Sequence, residues 1–463
     1  MLSASILRAR LTELDELEVA ESRLQFLAAA ERRRIINDLN SKFCPILTLP
    51  PEITSEIFSH YVTNPPWLGV AGKSAPGPLT LAAVCQSWRY ICFSTHCLWA
   101  SLRLFPSLWV IDDFIHLLEC WLQRAGHHPL DLEVWDQGQD STMTILSVIS
   151  HHSLHLRTLI FSLFTPFSFP NDEFWKRVPL LTKLSVRITA YVHWHDTSVM
   201  ISAFREAPRL REVCLSGNSA QHMLLPWIQL THLEFQETSP SSCLHVLKET
   251  PNVQVLSVSL PHLGRELPHA MTLLLPHRVT LHHLHTLKFS DDLEGKLLER
   301  LVLPALKTIH LSLLIGPGIL SFINLGFRSA WSLQSICFTE MVVNECISCL
   351  QSLPSITHIQ FGNAMLSSIE LNELLYFLHK DRTTLPALET LALRDCSREF
   401  SGLRLREMLA SRSIASGAHD CVKLKSFQLA FVPLAVRKEF VEEIWAELRT
   451  VVEAGLEVAI DVA

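Results

Sequence analysis

The most regular feature of this chain is a recurring alternation of large apolar and polar residues in the form Leu-x-x-Leu-x-Leu. Alternation with a period of two predicts a β-strand with one buried face and one open face. Instances of the pattern begin at Leu156, Leu181, Leu210, Leu230, Val253, Leu284, Leu306, Leu333, Ile356, Leu388 and Leu424. They follow one another at about 27 residues on average, which is within the range of leucine-rich repeats.

Between these strands the apolar spacing changes to the three and four residues of a helix, and a proline frequently ends the helical stretch. Helices are predicted over 172–178, 199–206, 243–249, 297–302, 344–352 and 371–380. A longer helix over 434–454, ended by Gly455, precedes a last strand from Leu456. The predicted fold class is therefore α/β, an irregular solenoid of strand-plus-helix units. A doubly wound parallel sheet is the alternative, but it would not keep one motif through so many strands.

The same alternation predicts which side chains a ligand would meet. If the leucines point into the core, the residues between them line the open face of the strand ladder, which is expected to be concave. The candidate target-binding residues there are Lys183, Arg187, Glu212, His232, Glu234, Lys288, His310 and Arg394. Their mixed charges favour a protein ligand over a phosphate or a nucleic acid. For any single residue, a solvated face without a ligand is an equal alternative.

A different pattern occupies residues 49–104, where three apolar clusters stand in a fixed order. A helix is predicted to begin at the two prolines Pro50 and Pro51, with a second helix from Leu79 to about Phe93 and a third near Trp99. On the first helix, Ile53, Ile57 and Phe58 are predicted to share one face. About 55 residues form only a marginal core. Part of this apolar surface is therefore expected to bind another protein.

This segment resembles an F-box, the short trihelical module with which receptors of ubiquitin ligases bind a Skp-type adaptor. The residues that carry the resemblance, and that it implies bind the adaptor, are Leu49, Pro50, Glu52, Ile53, Ile57, Val84, Cys85, Trp88, Arg89 and Trp99. The connection from His60 to Thr80 is rich in proline and glycine and longer than the common pattern, so it is predicted to be a surface loop. Similar F-box proteins of mushroom-forming fungi often begin with a helix before the Leu-Pro-Pro-Glu-Ile run.

The predicted domain organisation has four parts. Residues 1–42 form an N-terminal helix, 43–105 the F-box, 106–127 a linking helix and 128–463 the solenoid with a C-terminal cap. In the first part, leucines approximate a heptad seam, but glutamates interrupt it. A short coiled coil and a single amphipathic helix therefore both remain open for this part.

Composition and charge limit the cellular compartment and the classes of partner that are expected for this chain. The net charge of −7, without a basic stripe, argues against nucleic-acid binding. The 12 cysteines lack paired spacing and no apolar signal stretch is found, so an intracellular location, cytoplasmic or nuclear, is expected. Residues 308–327 lack charged side chains, but a Gly-Pro-Gly turn interrupts them. They are interpreted as a strand, a turn and a helix, and not as a membrane span.

Catalytic and metal-binding motifs are missing from the sequence. It has no dinucleotide-binding glycine motif, no phosphate-binding loop, no nucleophile elbow and no His-Glu-x-x-His. Histidines cluster at 151–155, 193–195 and 282–285 without thiol or carboxylate partners at ligand spacing. The pair Cys346 and Cys349 is half of a zinc motif and is interpreted as helix packing. No cofactor and no metal are expected.

Taken with the resemblance, these patterns predict a substrate-recognition subunit of a Skp-cullin-F-box ubiquitin ligase. The F-box would bind the adaptor, and through it a cullin, while the solenoid would bind a protein target. One alternative is a leucine-rich scaffold that binds the adaptor without assembling a ligase. An enzyme with an unfamiliar site is a more distant alternative.

Overall fold

The computed structural model describes residues 28, 31–32, 34, 45–69, 77–106, 111–136, 139–163, 173–188, 201–261, 278–290, 295–314, 316–362, 367–380, 384–396, 400–413, 422–432 and 437–462. The chain forms two compact units. The helical unit comprises 1–102 and 116–128, and the repeat unit comprises 103–115 and 129–463. Most of the predicted N-terminal helix, with its coiled-coil seam, lies outside the described residues.

The helical unit contains three short helices, α1 (Pro51–Tyr61), α2 (Pro78–Ala82) and α3 (Gln86–Ser94). They are accompanied by the two-residue strand β1 (Trp67–Leu68) and a 3-10 turn over His96–Trp99. Strand β2 (Ser101–Leu104) and helix α4 (Ile111–Ala125) contribute residues to both units. Helix α4 occupies most of the predicted linking helix.

The prediction of one helix from Leu79 to Phe93 is wrong, because the helix is interrupted between α2 and α3. Cys85 has an extended backbone, and its sulfur accepts a hydrogen bond from the backbone N–H of Trp88 at 3.5 Å. Cys85 therefore acts as the N-cap of a new helix, an arrangement that satisfies a donor of the first turn. The predicted loop from His60 to Thr80 is also shorter than expected, because β1 lies within it and Pro78 begins α2.

Aromatic side chains fill the interior of the helical unit. Trp99 is completely buried, and its indole N–H donates to the carbonyl of Cys92 at 2.8 Å. The ring of Trp121 meets that of Trp99 edge-on at 4.6 Å, and its N–H donates to the Trp99 carbonyl. Phe58 is also buried and contacts the ring of Trp88 at 4.9 Å. The buried indole donors of Trp99 and Trp121 are therefore satisfied.

The repeat unit is built on parallel strands that follow one another in chain order. Thirteen of its described strands lie side by side from β3 to β17, and the short strands β9 and β11 pair with each other. The strands are β3 (Leu130–Asp136), β4 (Leu156–Leu163), β5 (Lys183–Ile188), β6 (Glu212–Ser216), β7 (His232–Gln236), β8 (Val255–Ser259), β9 (Val279–Thr280), β10 (Thr286–Ser290), β11 (Leu301–Val302), β12 (Thr308–Ser312), β13 (Ser335–Thr339), β14 (His358–Gly362), β15 (Thr390–Cys396), β16 (Ser426–Phe431) and β17 (Glu457–Val462).

All eleven strands predicted from the leucine pattern are present, and their register explains why. The second apolar position of the motif forms one continuous ladder, in which Leu287 pairs with Ile309 and Ile309 pairs with Ile336. These side chains are fully buried. A single carbonyl before each strand, such as that of Gln334, accepts two backbone N–H groups from the next repeat, here those of Thr357 and His358. The prediction of an α/β solenoid with a parallel sheet is confirmed.

The helices between the strands agree with the sequence only in part. The helices in the repeat unit are α5 (Gln139–Ser150), α6 (Pro240–Glu249), α7 (Pro317–Ser329), α8 (Val343–Gln351), α9 (Ser368–Lys380), α10 (Gly402–Ser413) and α11 (Lys438–Glu453). The predictions over 172–178 and 297–302 are wrong, since the first forms a 3-10 turn and the second a 3-10 turn followed by β11. Residues 201–206 form turns. Segments this short nucleate a helix poorly. Residues 308–327 form β12 and most of α7, as interpreted.

Candidate functional site

Helix α1 places branched apolar side chains on the surface. Ile53 is 51% exposed and Ile57 is 41% exposed, while Thr54 and Phe58 on the next stripe of the helix are buried. The prediction that Phe58 shares a face with the isoleucines is therefore wrong, although residues four apart do align in each stripe. Leu49, Pro50 and Glu52 precede or begin the helix and are also exposed.

The junction between α2 and α3 exposes the second predicted cluster. Val84 is 61% exposed, and Arg89 is exposed while its Nε donates to the carbonyl of Ala82 at 3.0 Å. Cys85 and Trp88 are half-buried. The indole nitrogen of Trp88 is buried without a hydrogen-bond partner among the described residues. This junction therefore combines an exposed aliphatic residue with an arginine held by the backbone.

Trp99 differs from the other predicted adaptor-binding residues, because its side chain has no exposed surface. It supports the helical unit from inside and is not available to a partner, so its assignment as a contact residue needs this correction. Sequence reasoning missed several exposed apolar residues of the same unit. They are Ile46, Tyr61, Leu79, Tyr90 and Phe93. Their signal was available, since they lie on short amphipathic helices whose other face is already filled.

The open face of the repeat sheet carries polar residues in straight rows across the strands. One row contains Lys183, Glu212 and His232, and the row beside it contains Glu234, Lys288 and His310. Arg187 lies on β5 next to Ser162 of β4, and Arg394 lies on β15. The parallel register thus brings the residues of each row onto neighbouring strands about 4.8 Å apart.

Several of these side chains are already paired. Lys183 and Glu212 form an ion pair with an N–O distance of 3.3 Å, and both are about half exposed. Gln236 donates to Glu234 at 2.5 Å, and Arg394 donates to Gln428 at 3.2 Å. Exposed pairs of this kind add little stability. Because the rows carry side chains of both signs, they present an electrically mixed surface.

Among the groups on this face, His310 and Cys214 have shifted pKa values. Burial lowers the pKa of His310, and the ammonium group of Lys288 on the neighbouring strand lowers it further. Burial raises the pKa of Cys214, and Glu234 adds to this effect, while Ser185 and Arg187 act in the opposite direction. Neither arrangement pairs a nucleophile with an activating base.

Within the described part of the chain, no group of three histidine, cysteine or acidic side chains is close enough to hold a metal ion. Cys346 and Cys349 lie buried in α8, and burial raises the pKa of both thiols, that of Cys349 to about 12. Their interpretation as helix packing is confirmed. None of the described helices is both long enough and apolar enough to cross a membrane.

Comparison with known proteins finds matches among solved structures alone. No protein-family model and no curated protein matches the sequence. Among solved structures, one chain of the crystal structure of a TLR13–ssRNA13 complex matches with a TM-score of 0.35 and 14% identity. The match covers 73% of this chain and 49% of that chain, so this chain spans about half the length of the structure that it matches. A similarity this low supports no argument about function.

Proposed function

We propose that this protein is the substrate-recognition subunit of a Skp-cullin-F-box ubiquitin ligase. In this proposal the helical unit binds a Skp-type adaptor, and the open face of the repeat sheet binds a protein target. The observation that carries the proposal is the set of exposed apolar side chains on α1 and at the α2–α3 junction, above all Ile53, Ile57 and Val84. Their positions match those that the F-box resemblance assigns to the adaptor.

Physical reasoning supports a partner on this surface. A small helical unit whose interior is filled by Trp99, Trp121 and Phe58 has no internal use for further apolar side chains. Their exposure costs free energy of roughly 25 cal/mol for each Å² left in water. A cluster of exposed aliphatic residues on short helices is the usual mark of a protein interface.

The proposed role requires no catalytic residue in this chain. A target held beside a ubiquitin-charged enzyme reacts faster because its effective concentration rises, and no side chain of the receptor touches the reacting atoms. A broad row of polar side chains of both signs, as on the repeat sheet, suits a protein surface.

The test is a pull-down of the full-length chain with a Skp-type adaptor and a cullin. The double variant Ile53→Asp with Ile57→Asp is expected to weaken adaptor binding by about 30-fold or more, because about 2 kcal/mol or more is lost when central anchors are removed. Ile369→Asp is the matched control, since Ile369 on α9 is 79% exposed in the repeat unit. This control is expected to bind the adaptor like the wild type.

The outcomes separate the candidates. Recovery of cullin together with the adaptor supports the ligase subunit, whereas adaptor without cullin supports the scaffold alternative. A wild-type chain that binds no adaptor, or a double variant that binds as well as the control, would refute the F-box assignment.

A further inference from the structure

Three polar atoms on the open face of the repeat sheet are buried without an oxygen or nitrogen hydrogen-bond partner among the described residues. They are the hydroxyl oxygens of Ser162 and Ser185 and the Nε of Arg187. Ser185 is 1% exposed and Ser162 is 6% exposed. Unpaired buried polar groups are few in folded proteins, and each one calls for an explanation. Because three such groups lie on two adjacent strands, one common explanation is expected for all of them.

The strand register places these three groups at one corner of the sheet face. Ser162 of β4 pairs directly with Arg187 of β5, so their Cα atoms are about 5 Å apart. Ser185 precedes Arg187 by two residues on the same strand and therefore points to the same face, about 7 Å away. A guanidinium side chain and two hydroxyl groups thus lie close together on one face of the sheet.

The charge at this corner is not neutralised by the described residues. Lys183, on the same strand and the same face, is paired with Glu212, and Glu234 accepts a hydrogen bond from Gln236. No described carboxylate forms an ion pair with Arg187. The thiol of Cys214 lies next to Ser185 in the register, and side-chain hydrogen bonds with Ser185 and Arg187 lower its pKa against the larger effect of burial. Sulfur is only a weak hydrogen-bond acceptor, so these donors remain free for a stronger one. The corner therefore holds a guanidinium group without an ion pair together with hydroxyl donors, while the carboxylate of Glu234 lies two strands away.

We propose that Arg187, Ser185 and Ser162 form a binding site for an anionic oxygen group, either a carboxylate or a phosphoryl group of the protein target. All three can donate hydrogen bonds, and arginine matches the planar or tetrahedral arrangement of such oxygens. Binding satisfies the buried donors and neutralises the charge in one step. The site deepens the proposed function, on which it rests for the statement that the anion belongs to a target.

The experiment uses the purified full-length chain without adaptor, so its result is independent of the F-box assignment. Inorganic phosphate and acetate are titrated separately by calorimetry, with chloride keeping the ionic strength constant. We expect saturable binding of at least one anion and a loss of tenfold or more in its affinity in the Arg187→Gln variant. Tighter binding of phosphate would identify a phosphoryl group, and equal or tighter binding of acetate a carboxylate.

Arg404→Gln is the matched control, because it removes the same charge at an exposed position on helix α10 of the repeat unit and not on the sheet face. It is expected to leave anion affinity unchanged. If Arg187→Gln fails to fold, the double variant Ser162→Ala with Ser185→Ala removes both hydroxyl donors and keeps the charge, and it is expected to lose about tenfold in affinity. Absence of saturable binding by both anions, or an equal loss in the control, would overturn the proposal.

Discussion

The helical unit and the repeat unit use large apolar side chains in different ways. In the helical unit, Ile53, Ile57 and Val84 are exposed on short helices. In the repeat unit, every described residue of the central apolar ladder from Leu159 to Phe427 is buried, and the other face of the strands is largely polar. The first unit therefore offers an apolar surface and the second an electrically mixed one.

This difference follows from how each unit obtains its core. A solenoid buries its apolar residues between neighbouring repeats, so each added repeat extends the core and leaves mostly polar positions on the open sheet face. Three short helices enclose a small volume, which Trp99, Trp121 and Phe58 already fill. Under the proposed function, these two surfaces of different chemistry would bind two different partners.

The largest expected effect is on the repeat unit. Leu391→Asp places a charge where the side chain is completely buried, and its unfolding free energy is expected to fall by more than about 4 kcal/mol. Thr390→Asp is the matched control, since Thr390 is the preceding residue and faces the open side of the sheet. Chemical denaturation measures both. Adaptor binding is expected to survive in Leu391→Asp, and its loss would contradict the division into two units.

The next effect distinguishes the interior of the helical unit from its surface. Trp99→Ala removes a fully buried side chain and is expected to cost about 3–5 kcal/mol of stability. Ile57→Ala removes a side chain that is partly exposed, and its stability is expected to stay within about 0.5 kcal/mol of the wild type while adaptor affinity falls. Chemical denaturation of both variants measures their stability, and titration with the adaptor measures their affinity. Equal stability losses would show that Ile57 belongs to the core.

The smallest effect tests the electrostatics of the polar rows. The pKa of His310 is lowered from 6.5 by burial first and by Lys288 second, so Lys288→Gln is expected to raise it partway. The pKa of His310 is lower in the folded state than in the unfolded state. The neutral imidazole therefore stabilises the fold above pH 6.5, and this contribution is lost as the pH falls from 6.5 through the folded-state pKa. His310→Gln should therefore lose less stability on acidification.

Titration of the His310 imidazole by NMR checks this prediction. Arg394→Gln is the control, since Arg394 lies three strands from His310 in the sheet order, beyond a Debye length at physiological salt. It is expected to leave the pKa of His310 unchanged. A pKa at or above 6.5 in the wild type would contradict the burial of this side chain.

The sequence predicted the strands of the repeat unit well because alternation is a local property. Each motif from Leu156 to Leu424 indicates which residues face inward. The neighbouring repeat provides a strand with the same alternation, with which it pairs. Helices were predicted correctly where they are long enough to show a periodic apolar face, as in α9 and α11. They were predicted wrongly over 297–302, where the backbone forms a 3-10 turn and a two-residue strand instead.

For the candidate adaptor surface, which stays a prediction, the sequence named residues but did not decide which of them are exposed. Sequence spacing placed Phe58 and Trp99 with the surface residues, whereas both are buried. Spacing of three or four residues marks an apolar stripe of a helix and does not say whether that stripe meets the core or the solvent. In α1 two adjacent stripes are apolar, and only packing decides between them.

The sequence by itself determined the order of the strands, the face on which each side chain lies and the small size of the helical unit. Only the tertiary structure decided which polar groups lose contact with water. Arg412 is buried and donates to the carbonyls of Leu378 and Leu385, and Ser185 is buried beside Arg187 without an oxygen or nitrogen partner among the described residues. Alternation fixes the direction of a side chain, but burial depends on segments that are distant in the chain and arrive only when the repeats stack.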